Sequence, residues 1–166
     1  MQYLSSPQPS TVQQFLRFKL QSDTIALLPV SQLVAVLTID GTQITAIPHL
    51  PSWVMGVYNW RGEVLWIVDM DHLIGNIPYH QYTLQAARYN ILLLEHTLTV
   101  TGEQRRLGLM VQQVDGMEVL PLDDIQSIPN VSEEMVPFLK GYWLDAAGHM
   151  LTLFDGLAIL DRMPAQ

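Results

Sequence analysis

The chain has 166 residues, a formal charge of −8, 49% apolar residues and 14% charged ones. That charge argues against phosphate-backbone binding and hence against a nucleic-acid partner, and the absence of cysteine excludes disulfides and thiolate-bound metals. No apolar run approaches the roughly 18 residues of a membrane span, and Met1–Pro7 lacks a basic leader, so the expectation is a cytoplasmic protein with no direct membrane insertion.

Residues 1–13 are rich in Ser, Pro and Gln and predict a flexible tail. Phe15 to Leu20 alternates apolar and basic residues, the pattern of a strand with one wet face. Gln21 to Thr24 is turn chemistry, and Ile25 to Val30 is a short strand that Pro29 places at an end or edge. Ser31 is placed to cap a brief helical turn through Val34. Val36 to Ile39 leads into an Asp40-Gly41 turn and then Ile44-Thr45-Ala46-Ile47-Pro48. Pro48 and Pro51 mark a loop carrying Trp53 towards the next strand.

Gly56 to Asp69 has two apolar runs flanking a polar tip with a glycine, the pattern of a tight β-hairpin. Gly62 suits the positive φ of such a turn. Beyond it, Val64, Trp66 and Val68 face one side and Leu65 and Ile67 the other, so a strand covered on both faces is expected. Arg61 at the tip is the only Lys or Arg between Lys19 and Arg88. It admits two readings, a partner contact or a solvated turn arginine beside Glu63. Asp69 to Gly75 reads as one helical turn with an Asp cap and a Gly stop.

Residues 76–89 form a polar, tyrosine-bearing connector with some helix expected, followed by strands from Asn90 to Val100 and Leu107 to Val111. Glu133-Glu134 after Ser132 suggests a capped helix start. Leu151 to Asp155 and an apolar helix through Leu160 end the pattern.

The second half repeats the first. The spacing from Val30 to Ile44-x-x-Ile47-Pro48 equals that from Val111 to Ile125-x-x-Ile128-Pro129. Gly62 stands before Asp69 as Gly148 stands before Asp155, and each Asp leads into an apolar pair, Leu73-Ile74 or Ile159-Leu160. About five short strands per copy point to a mostly β protein of two small barrels; a single β-sandwich is the alternative.

No phosphate loop, dinucleotide fingerprint or nucleophile elbow occurs. Asp69, Asp71 and His72 invite a metal reading, but acids at a helix start explain the carboxylates. No catalytic residue, metal or cofactor is therefore assigned. Trp66 and Trp53 suit core packing, Trp143 holds a related place in the second copy, and Trp60 is the candidate exposed aromatic contact.

Gly56-Val57-Tyr58-Asn59-Trp60-Arg61-Gly62-Glu63-Val64, ending in Ile67-Val68-Asp69-Met70, resembles the Gly-Val-x-Asn-Leu-Arg-Gly-x-Val signature of the chemotaxis coupling protein (CheW) family. Leu107 to Val114 resembles that family's Gly-(Leu/Ile)-x-Val-Asp-x-Val strand, and Pro48-His49-Leu50-Pro51 its approach to the hairpin. The resemblance implies two SH3-like five-stranded β-barrels with short helices. It places one CheW-like domain at 14–161, with a first barrel near 20–88, a second near 89–155 and a tail at 162–166. Terminal segments crossing between the barrels are compatible with it.

It further implies a non-catalytic adaptor linking a chemoreceptor's cytoplasmic helical hairpin to the regulatory domain of a chemotaxis histidine kinase, recruited to membrane-associated receptor arrays. The receptor takes an apolar groove between barrels; the kinase domain, itself a double barrel, docks end to end. Gly56, Asn59, Arg61 and Gly62 carry over as partner-binding positions, supported by Val57 and Val64. Trp60 replaces the family's Leu, and Trp66 stands where Pro is frequent. The acid that commonly pairs with the signature Arg has no counterpart here, because Asp40 is the only acid between Val30 and Gly62. These departures suggest a divergent member serving pilus-based or light-directed motility. Two alternatives stay open: a small-ligand or metal-binding β-barrel, and a self-assembling scaffold suggested by low charge.

Overall fold

The structure is a computed structural model that describes residues 11–78, 88–127 and 131–163. Its strands, in chain order, are β1 (Val12–Lys19), β2 (Ile25–Pro29), β3 (Leu33–Asp40), β4 (Val54–Trp60), β5 (Glu63–Asp69), β6 (Arg88–Thr97), β7 (Gln104–Val111), β8 (Gln113–Pro121), β9 (Leu139–Leu144) and β10 (Met150–Phe154). Among the described residues two short helices, α1 (Met70–Leu73) and α2 (Gly156–Arg162), each follow a hairpin. The expected helix at 76–89 falls largely outside the described residues. The expected tail shortens, because β1 already starts at Val12, and α2 runs through Arg162.

The strands form two five-stranded, curled sheets, in the orders β8-β1-β2-β10-β9 and β3-β6-β7-β5-β4. Exchanging β1–β5 with β6–β10 turns one order into the other, so the repeat read in the sequence is a repeat of topology. Each half contributes strands to both sheets. The division near 88/89 therefore does not describe strand membership: the chain crosses over after Pro29 and again at Gln112. Matching parallel pairs, β2 with β10 and β7 with β5, seal the exchange.

Three apolar clusters follow from the two-residue strand period. In β6, Ile91 and Leu93 join Leu65, Ile67 and Met110 inside one sheet. Leu92 and Leu94 point the other way, into a larger core shared with Phe18, Leu28, Phe154 and Ile159 of the other sheet and α2. Phe15, Leu27, Trp143, Leu151 and Leu153 fill the second sheet's interior. Each fully buried Leu, Ile or Phe contributes about 2 kcal/mol before entropy is counted. The shared core makes the two sheets one packed unit.

Three local expectations change. The turn after β2 is a 3-10 helix at Val30–Gln32 with Ser31 inside it, not a helix capped by Ser31. After Ser132 the chain makes a turn and a 3-10 segment at Val136–Phe138 rather than an α-helix, since Pro137 lacks the N–H a helix needs. The Ile44 to Pro48 run pairs only at Thr45, an isolated bridge to Val57.

Candidate functional site

The β4–β5 hairpin is built by its turn. Trp60 pairs with Glu63 and Asn59 with Val64, leaving Arg61 and Gly62 as a two-residue loop. Their φ angles are 52° and 82°, both left-handed, as a type I′ turn requires. The Asn59 side-chain oxygen accepts the Gly62 amide at 2.9 Å and pins the turn. Gly62 takes the expected conformation at no steric cost, while Arg61 adopts one that non-glycine residues seldom use.

Trp60 is half-buried against its sheet's interior, and two guanidinium groups lie over its ring. The Arg61 group sits 4.9 Å from the ring centroid and the Arg106 group 5.4 Å, both within cation–π range. Glu63 does not pair with Arg61. It pairs with Arg106, which also binds Glu95 at 2.6 Å and Gln104 at 2.8 Å. The bond to Glu95 is the main cause that holds the Arg106 pKa above its ordinary value. Asp40 is engaged locally, accepting from the Thr42 amide at 2.9 Å and hydroxyl at 2.8 Å; these bonds hold its pKa below the usual range. Every Asp and Glu of the chain lies among the described residues, and none pairs with Arg61. Arg106 was not singled out in the sequence. The signal was there, two arginines running directly into the apolar stretch Leu107 to Val111.

Gly56 lies away from the tip and is buried. A Cβ there would sit 2.1 Å from the Thr45 carbonyl oxygen. The absent side chain thus lets Thr45 cross and exchange two hydrogen bonds with Val57, at 2.8 and 2.9 Å. Gly141 does the same under Gln126 in the other sheet, where a Cβ would meet a carbonyl at 2.5 Å. Val57 is half-buried, Asn59 exposed.

Val68 is buried and Trp66 half-buried, but Val64 is 70% exposed. The expectation of cover on both faces therefore holds only for the later part of β5. Pairing with β7 begins at Ile67, so the start of the strand projects past the shared core. Val64 and Trp66 instead line an open groove of about 460 Å³ with Arg105, Arg106, Leu160 and Met163.

The remaining candidates have structural partners. Asp69 caps α1 through the His72 amide at 3.2 Å. Asp71 accepts from the Gln21 amide at 2.9 Å and from the Asn76 amide group at 3.1 Å, with Gln112 at 3.5 Å. His72 bonds Ser52 at 2.7 Å through Nε2. Among the described residues no group of His, Asp and Glu is arranged to hold a metal ion. Trp143 is buried, packs at a tilt against Phe15 with ring centroids 5.1 Å apart and donates to the Pro121 carbonyl at 2.9 Å. Trp53 and Trp66 pack against the shared core. No helix among the described residues is long and apolar enough to cross a membrane.

Known proteins resemble this chain in fold and in sequence. The chain is similar to the scaffolding protein TtCheW from Thermoanaerobacter tengcongensis, with a TM-score of 0.74 over 94% of this chain and 97% of that one at 19% identity, which speaks to the fold. It is 32% identical to the chemotaxis protein CheW of Rhizobium meliloti over 74% of each chain. It is 29% identical to protein PilI of Pseudomonas aeruginosa over 68% of this chain, an alignment that spans 61% of PilI. The family model for the CheW-like domain matches residues 14–163. With that match over nearly its whole length, on a twin-sheet fold carrying the hairpin signature, the chain belongs to the CheW-like domain family.

Proposed function

We propose that the protein is a non-catalytic signalling adaptor coupling chemoreceptors to a chemotaxis-type histidine kinase, with 14–161 as one functional unit. The observation that carries this reading is the signature hairpin held out at a sheet end, its Asn59, Arg61 and Gly62 all exposed. A rigid, pre-formed tip binds with little ordering cost. The partners are the kinase's regulatory domain and the receptor's cytoplasmic helical hairpin. Gly56 and Val57 shape the hairpin, Asn59, Arg61 and Gly62 form its tip, and Val64 and Trp60 supply apolar contact. Val34 and Val36, exposed on one face of β3, offer the apolar surface that an amphipathic helix covers. The work is done on the cytoplasmic side of receptor arrays. The likeness to PilI favours pilus-based motility as the output.

Calorimetry of the full chain against the regulatory domains of chemotaxis-type kinases from the same organism tests the proposal. Saturable one-to-one binding is expected. Failure to bind any such kinase domain, with the protein folded, refutes the adaptor role.

A further inference from the structure

Arg61 combines three features. It holds a left-handed backbone conformation, its guanidinium lies over Trp60, and no Asp or Glu side chain of this chain pairs with it. The acid nearest in sequence, Glu63, is claimed by Arg106, which is anchored by Glu95 as well. In a chain of net charge −8, this leaves a fixed, uncompensated cation at the hairpin tip. Stacking restrains the long side chain, so little rotamer entropy remains to be lost when an anion binds. The planar fork of guanidinium donors fits a carboxylate in two-point fashion.

We propose that Arg61, stacked on Trp60, receives a carboxylate from the kinase regulatory domain, so that the ion pair closes between two proteins rather than within this one. This rests on the adaptor reading. The kinase domain fits because the tip is polar and stands at a sheet end, whereas a helical partner calls for an apolar strip. Arg106 holds the other side of the arrangement. By taking Glu63 out of reach it keeps Arg61 unpaired, and its own guanidinium contributes to the Trp60 platform.

The test is calorimetry of the full chain with the cognate regulatory domain at low and high salt. Arg61→Ala should weaken binding about ten-fold and flatten the salt dependence, and Arg61→Glu should weaken it further. Arg61→Lys should fall between, because an ammonium keeps the charge without the planar fork. All three should keep the melting temperature near that of the unaltered chain, since the side chain is exposed. An Asp or Glu to Lys reversal in the kinase domain should rescue Arg61→Glu. Binding indifferent to Arg61→Glu overturns the inference and leaves the adaptor role standing. No binding by the unaltered chain removes both.

Discussion

Gly56 and Gly62 belong to one motif, yet the structure separates what each does. At Gly62 nothing lies within 4 Å of an added Cβ, so only the φ of 82° resists substitution. Gly62→Ala should cost about 1 kcal/mol. At Gly56 the added methyl would meet the Thr45 backbone, at a φ of 146°. Gly56→Ala should cost about 3 kcal/mol or more, because one strand must move away from the other. Chemical denaturation of both variants checks the ordering; equal losses would refute it. The sequence showed both glycines and the turn. It did not show that Arg106 takes Glu63, because that contact depends on β7 lying beside β5.

Among the elements, the hairpin-to-helix junctions were the most legible. Asp69 at the end of β5 and Asp155 just after β10 each cap the helix that follows, and their amides bind the Trp53 and Phe138 carbonyls at 2.8 and 2.7 Å. Asp155 accepts from Leu157 and Ala158 at 3.0 and 3.3 Å. Asp155→Ala should therefore cost about 1 kcal/mol, while Asp155→Asn, which keeps the acceptor, should cost less than half of that. Thermal melts compare the two, and equal losses would put the effect in packing instead. Capping is local chemistry, readable from an acid before an apolar run. The acids after Ser132 look like a helix start, while Pro137 and the need to reach β9 make the segment a turn and a 3-10 helix instead.

Across the whole molecule, Asp71 ties the two sheets together at a crossover. It is 1% exposed and binds Gln21 of the β1–β2 turn, Asn76 beyond α1, and Gln112, the residue where the chain passes from β7 to β8. Gln112 in turn binds the Lys19 carbonyl at 3.1 Å and accepts from Asn90 at 3.0 Å. Burial is the largest influence on the Asp71 carboxyl and raises its pKa; the nearby Asp69 adds to the rise, and the bonds to Gln21 and Asn76 oppose it. A raised folded pKa means that the stabilising contribution is complete below the ordinary carboxylate range. It is lost as pH rises through the raised value. Asp71→Asn, free of that titration, should gain melting temperature relative to the unaltered chain as pH climbs through this window, by about 2–4 °C. A gap that does not change with pH would show that Asp71 does not titrate there.

The sequence by itself determined β1 to β7 and β10, the tight β4–β5 hairpin, the Asp-led helices after β5 and β10 and the duplication, because each is written in short-range period, turn chemistry or spacing. Only the tertiary structure decided which strands share a sheet, that Val64 stands clear of the core, and that Arg61 is left without a carboxylate. Those outcomes depend on neighbours far apart in the chain, where a two-residue period names two faces but not what will cover them.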